Sequence, residues 1–454
     1  MRVFIGLVEV AGRNAALKRG LEQLGHPTTF VNLSPHRFQY GSDDPLFLVR
    51  VIRRLAVLRR QLPRGILRPA LVVPEFLSRL ALLLQILATH DVFIFSSASS
   101  FFRYWDYRVM SFLAYWDYRL IRFFGKKLIC QFHGSDSRPH YLNGAYACQP
   151  DFSIAKCARD TDAQKKRLRI IDEWADAIID MPPQGYFHQR PYYTMLRLGL
   201  PSGPFDAPRP NPELKSAAGV SARPVRILHA PSNARYKGTA QIREMVQRLM
   251  ARGLAIEFIE VQEKSNDEVV AEIQKADLVV DQLYCDFGLS ALTAEALWWG
   301  KAVISGGYSA DLWAKLLPAG LLPPAVHCHP ADFAIRLEQL VMDGNLRLKL
   351  GAAGYDYIRR FHHPKIVADN YLKVAGGEAP AEWLYDPRQM KEVWGGFFMS
   401  EDRAQEITRE VVREFGRKSL QLSDKPALEE AIVNWAHSVA VRAIEVHKKQ
   451  IGSD

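Results

Sequence analysis

The chain is poor in cysteine, with five in 454 residues (Cys130, Cys148, Cys157, Cys285 and Cys328), no CxxC pair and no paired spacing. An odd, scattered set of thiols argues against a disulfide framework or a structural zinc site and suits a reducing compartment. The sequence also lacks a GxGxxG turn, a Walker loop, a GxSxG elbow and an HExxH helix. These absences remove the usual signatures of dinucleotide binding, P-loop chemistry, α/β-hydrolases and zinc proteases, and no metal ligand set is expected. Long apolar runs are scarce. The most apolar stretch, residues 80–95, is broken by Gln85, His90 and Asp91 and is expected to fall short of a membrane span. The opening MRVFIGLVEV reads as a β-strand, without the apolar core and small-residue cleavage site of a signal peptide. A cytoplasmic protein is expected.

Positive charge is abundant. A formal net charge of +10 and a pI near 9.3 point to anionic partners: phosphorylated substrates, lipid headgroups or nucleic acid. No segment resembles a nucleic-acid module, so that partner is not expected. Residues 46–68 place Arg50, Arg53, Arg54, Arg59, Arg60, Arg64 and Arg68 among leucine, valine and isoleucine. As a helix this stretch is either an ordinary solvated face over the core or a cationic amphipathic face for an anionic membrane surface, making the protein peripheral there. YWDYR occurs twice, at 104–108 and 115–119. Eleven residues is close to three helical turns, so both copies are expected to pack one face of a helix into the core, with an aromatic platform as the alternative.

The length suits two α/β domains. In residues 1–205, short apolar runs at 3–8, 28–31, 92–95, 127–132 and 177–179 alternate with helical patterns, the first at 14–24 and ending at Gly25. Residues 182–210 read as irregular and 201–224 as a proline-rich linker. A second cycle fills 221–375, with strands at 225–229, 256–261, 278–280 and 302–304 separated by helices. Residues 376–454 read as a helical extension without strands. The predicted fold is therefore α/β, with two Rossmann-like doubly wound lobes and a C-terminal helical extension. Ligands of such sheets bind at the C-terminal strand edges.

Four segments carry candidate chemistry. HAPSNARYKGT (229–239) joins a strand to a helix, where free amides and the helix dipole favour a diphosphate; Arg235 and Lys237 supply cations and Gly238 a close backbone approach. In DQLYCDFGLSALTAEALWWGKAV (281–303), Gly288 marks a turn, Ser290 an N-cap, and Glu295 a carboxylate among apolar neighbours that can accept from two ribose hydroxyls. QFHGSDSR (131–138) puts His133 at a strand end, with Gly134 and Ser135 able to offer amides and with Asp136 and Arg138 able to orient the histidine or a substrate. EVAGRN (9–14) is the first strand-to-helix turn, in which Gly12 permits a tight bend and Arg13 can meet an anion.

Taken in order, these segments resemble the GT-B glycosyltransferases, most closely bacterial family 4 enzymes, over roughly residues 1–375. The resemblance implies a nucleotide sugar as donor substrate, no resident cofactor or metal, and transfer with retention to a glycan or lipid-linked acceptor, as in cell-envelope polysaccharide synthesis. It implies a catalytic set of His133, Asp136 and Lys237. The implied donor set is Gly12, Asn233, Arg235, Lys237, Gly238, Asp286, Gly288, Leu289, Ser290 and Glu295, and the acceptor set is Arg13, Asn14 and Arg138. Two departures stand out. The family often has a glutamate eight residues before the second one, where this chain has Phe287 beside Asp286. The family's arginine lies further upstream of the lysine than Arg235 does. A sugar-nucleotide epimerase and a non-catalytic membrane-associated protein on the same fold are the alternative readings.

Overall fold

The computed structural model describes residues 1–33, 44–62, 70–103, 113–201, 223–286 and 288–438. The first copy of YWDYR, Phe287 and most of the proline-rich linker lie outside them.

Buried runs form the strands. In the first lobe these are β1 (Val3–Leu7), β2 (Thr28–Asn32), β3 (Val92–Ser96), β4 (Lys127–Gln131), β5 (Ala177–Asp180) and β6 (Tyr192–Thr194). The second lobe has β7 (Val225–His229), β8 (Ile256–Glu260), β9 (Leu278–Val280), β10 (Ala302–Gly306) and β11 (Val326–Cys328). The sheet orders are β12-β6-β5-β4-β3-β1-β2 and β11-β10-β9-β7-β8, where β12 is Leu384–Tyr385. All pairings are parallel except β12 with β6. Each lobe therefore has the doubly wound 2-1-3-4-5 order, not the 3-2-1-4-5-6 order of dinucleotide-binding domains. Its switch point falls between β1 and β3 in the first lobe and between β7 and β9 in the second.

Strands buried on both faces need no alternation, which is why runs such as Val-Phe-Ile-Phe at 92–95 were legible. Two expectations are corrected. Residues 182–210 are not wholly irregular, because β6 and a short helix, Met195–Leu198, lie there. The extension is not strand-free, because β12 completes the first sheet.

The domain boundaries also shift. The helix Pro364–Gly376, expected in the second lobe, packs on the first-lobe helix Arg13–Gln23. Gly20 allows this, since a Cβ there would lie 2.1 Å from the Pro364 carbonyl oxygen. The helix Glu401–Phe415 then docks on the first lobe, and Pro426–His437 packs against it. Lys165 pairs with Asp424 at 2.9 Å, Lys425 donates to the His188 carbonyl, and Tyr141 donates to the Leu420 carbonyl. Two lobes with the chain crossing back onto the first constitute the GT-B arrangement.

The helices Phe47–Gln61 and Val72–Thr89 pack side by side on the first lobe. Buried Glu75 holds them together, accepting from Arg59 and Arg79 at 2.7 Å each. Arg59 is thus an interior residue, and Arg53 donates to the Asn32 carbonyl, so neither belongs to the expected solvated face. By length and composition Val72–Thr89 is long and apolar enough to cross a membrane, contrary to expectation. In the second YWDYR copy, Tyr115, Asp117 and Tyr118 are buried, with Asp117 accepting from the Phe101 amide, so this copy is core.

Candidate functional site

The second lobe presents a cation at its switch point. The His229 ring, at the end of β7, bridges the Val280 carbonyl and the Thr239 hydroxyl, both at 2.9 Å, tying the strand end to β9 and to the next helix. Asn233 caps the one-turn helix Ala234–Lys237 by accepting from the Arg235 and Tyr236 amides, so its side-chain oxygen is spent on the turn. Arg235 is exposed. Lys237 is buried; its Nζ donates to Gln282 Oε1 and lies 3.5 Å from Asp281 Oδ1. Gly238 has a left-handed φ of 72°, and a Cβ there would stand 2.8 Å from Leu283 Cβ, so only glycine fits. It opens the helix Thr239–Ala251, whose first turn has no side-chain cap among the described residues. Uncapped first-turn amides beside a buried ammonium are an anion-binding arrangement.

The loop after β9 packs on the end of β10. Cys285 donates to the Gly306 carbonyl and Gly306 to the Gln282 carbonyl. Cβ atoms at Gly306 and Gly307 would fall 2.4 and 2.2 Å from the carbonyl oxygens of Leu283 and Cys285. Gly288 and Leu289 are buried, and the Ser290 hydroxyl accepts from the Thr293 amide as N-cap of the helix Ala291–Trp298. In that helix Glu295 is buried and accepts from Asn266 Nδ2 at 2.9 Å. Burial outweighs this bond and lifts the Glu295 pKa to about 7.

The first lobe is wired differently. The Glu9 carboxylate accepts from the Val10, Asn14 and Ala15 amides, so the start of the helix Arg13–Gln23 already holds the chain's own carboxylate. Gly12 makes the expected left-handed turn at φ 75°, in the bend that Glu9 caps. Asn14 is fully buried and bonded to Ser96, Gln131 and the Val8 carbonyl. It holds strand ends together and is unavailable to an acceptor.

Arg13 reaches His133: its Nη1 lies 3.0 Å from His133 Nδ1. A guanidinium can only donate, so Nδ1 accepts and the imidazole proton sits on Nε2. Burial and then the Arg13 charge hold the His133 pKa well below the ordinary histidine value. Nε2 is buried without a hydrogen-bond partner among the described residues, leaving one N–H to offer a ligand oxygen. Asp136 accepts from the His133 amide at 3.1 Å and so braces the turn, and the Gly134 amide is taken by Gln184.

Arg138, expected at the acceptor, and Asp286, expected at the donor, meet instead. They form an ion pair across the lobes with both side chains buried, and Nε to Oδ2 is 2.9 Å. The pair joins the His133 turn to the loop that leads to Glu295.

Three contributors were not foreseen. His327, on β11, lies against Gly288 and Gly307, and burial holds its pKa down at about 4. Gln282 engages Lys237. Most unexpectedly, the extension sends residues 395–398, Gly-Gly-Phe-Phe, between the lobes. The Gly144 amide donates to the Phe397 carbonyl from the first lobe, and the Phe398 amide donates to the Tyr284 carbonyl in the second. Arg138 stacks 3.4 Å from the centre of the Phe397 ring, and Lys237 Nζ lies 5.3 Å from that of Phe398. Adjacent phenylalanines thus cover one cation in each lobe.

No protein-family description and no curated protein matches the chain. Among solved structures it is similar to Anabaena Alr3699/HepE in complex with UDP, at 12% identity over 83% of this chain and 100% of the other, with a TM-score of 0.40. It is also similar to the glycosyltransferase SnogD from Streptomyces nogalater, at 13% identity over 83% and 100%, TM-score 0.40. A UDP-forming α,α-trehalose-phosphate synthase from Burkholderia vietnamiensis matches at 11% identity over 84% and 98%, TM-score 0.46. Likenesses this distant transfer no residue's role. The two-lobed architecture rests on the sheet orders and the returning helix.

Proposed function

We propose that the protein is a glycosyltransferase that takes a sugar from a nucleoside-diphosphate donor and transfers it, with retention and without a resident metal or cofactor, to a glycan or lipid-linked acceptor. The observation that carries this reading is the buried Lys237 ammonium beside the uncapped start of the helix Thr239–Ala251, at the C-terminal edge of the second sheet. There it neutralises the departing diphosphate, the electrostatic contribution expected to dominate. Glu295 receives the ribose hydroxyls, and the Nε2–H of His133 hydrogen-bonds the transferred sugar. Of the resemblance's acceptor residues this reading retains Arg13, which is bonded to His133. Calorimetry with UDP, GDP, ADP and their sugars tests the reading. Lys237→Ala is expected to weaken the tightest of these at least ten-fold and to abolish transfer, and unchanged binding would overturn the assignment.

The acceptor is proposed to be met at an anionic bilayer. One face of Phe47–Gln61 exposes Phe47, Arg50, Arg54, Val57 and Leu58, and this helix contains no acidic residue. Beside it, Val73, Leu77, Ala81, Leu84 and Ala88 form an exposed uncharged stripe. Apolar side chains with flanking arginines suit the headgroup boundary. Flotation with phosphatidylglycerol vesicles should be lost in Leu77→Glu/Leu84→Glu, and equal flotation of that variant would remove the membrane from the proposal.

A further inference from the structure

We propose that residues 395–398 form a gate on the donor site, with the Phe398 ring occupying the side of Lys237 that a diphosphate must take. The inference rests on the donor-site reading of Lys237 and adds its regulation.

Among the described residues the side chain of Lys237 has three partners. Gln282 and Asp281 lie on its own lobe and belong to the loop that positions it. The third, Phe398, comes from the extension, and its ring is stacked on Tyr236 with centroids 5.8 Å apart and planes inclined at 23°. An aromatic face satisfies an ammonium only in part, and a dianionic diphosphate is the stronger partner. The gate is therefore a weak competitor that excludes water and neutral molecules and gives way to the donor.

The segment is held unequally at its two ends. It runs without regular structure between buried Trp394 and the helix Glu401–Phe415. Gly396 sits at φ 75°, where a Cβ would lie 2.2 Å from the Tyr308 ring. Phe398 itself is held at φ 55°, a conformation that costs a bulky L-residue free energy and that release would relieve. Among the described residues its backbone is tied to the second lobe by the 3.3 Å bond from the Phe398 amide to the Tyr284 carbonyl, and its ring by the contacts with Tyr236 and Lys237. The Phe397 half is held more firmly, by the Gly144 amide at 2.9 Å and by Arg138, itself locked to Asp286. The geometry points to Phe398 swinging out while Phe397 stays on the first lobe.

Two measurements on the full chain test this. Calorimetric titration of Phe398→Ala with UDP, GDP, ADP and inorganic pyrophosphate should give a Kd at least five-fold tighter than that of the parent. A weaker Kd would make the ring part of the bound site, and an unchanged one would make it a bystander; either overturns the gate. If neither protein binds any of these probes, the donor site itself is wrong and the gate falls with it. The second measurement needs no variant: amide hydrogen exchange at Phe398 should speed up on adding the bound nucleotide while the helix Thr239–Ala251 slows. Slower exchange at both would mean that the ligand orders the segment, which also overturns the proposal.

Discussion

Arg138 and Asp286 belong to different lobes, yet their charged groups meet in an ion pair closed to solvent. Burial raises the Asp286 pKa and the Arg138 charge opposes that shift. Removing one partner strands the other charge, which costs about 3–5 kcal/mol in such pairs, whereas replacing both by apolar groups is close to neutral. Arg138→Met and Asp286→Asn are each expected to lower the denaturation midpoint strongly, with Arg138→Met/Asp286→Leu recovering most of the loss. Single variants as stable as the parent would show that the pair does not hold the lobes.

The contact between Arg13 and His133 fixes a tautomer. Nitrogen chemical shifts should show His133 neutral, with its proton on Nε2, through the range where an ordinary histidine titrates. Removing the Arg13 charge in Arg13→Met takes away a repulsion against protonation, so the His133 pKa must rise. A histidine already doubly protonated at pH 6 in the parent would contradict the geometry.

Glu295 gives two pH dependences of opposite sign. Its folded pKa of about 7 lies above the ordinary 4.5, so the folded chain binds more protons between those values. Stability from this group is full below pH 4.5, falls as pH rises through the window, and levels off above 7, a change on the order of 3 kcal/mol. Glu295→Gln should flatten that slope. Nucleotide affinity should instead strengthen from pH 6 to 8, because the ionised carboxylate accepts both ribose hydroxyls. If parent and Glu295→Gln share one affinity profile, the carboxylate does not read the ribose.

The strands and the Lys237 loop were legible in the sequence because their signals are local: buried apolar runs, a strand-to-helix junction, a glycine in the left-handed region. Glu9 could have been read from the same kind of signal, since a carboxylate just before a helix start is a ready partner for its amides. The three-residue β11 and two-residue β12 are too short to carry periodicity. Nothing near Gly-Gly-Phe-Phe at 395–398 discloses that its rings meet Arg138 and Lys237, because those contacts depend on how the whole extension docks. The Arg138–Asp286 pair was missed for the same reason: each residue was assigned to the ligand facing its own lobe.

The antiparallel pairing of β12 with β6 bears on biosynthesis. The second lobe is continuous in sequence, and its sheet can close once residues near 361 have left the ribosome, with one of its apolar clusters drawn entirely from that segment. The first lobe is begun earlier and finished later. Until residues 364–438 emerge, its helix Arg13–Gln23 lacks its cover and β6 presents an open edge, the kind that recruits other strands. The half of the protein made first is thus the half that waits longest on the nascent chain, and force-release profiles of stalled chains should place its completion after that of the second lobe.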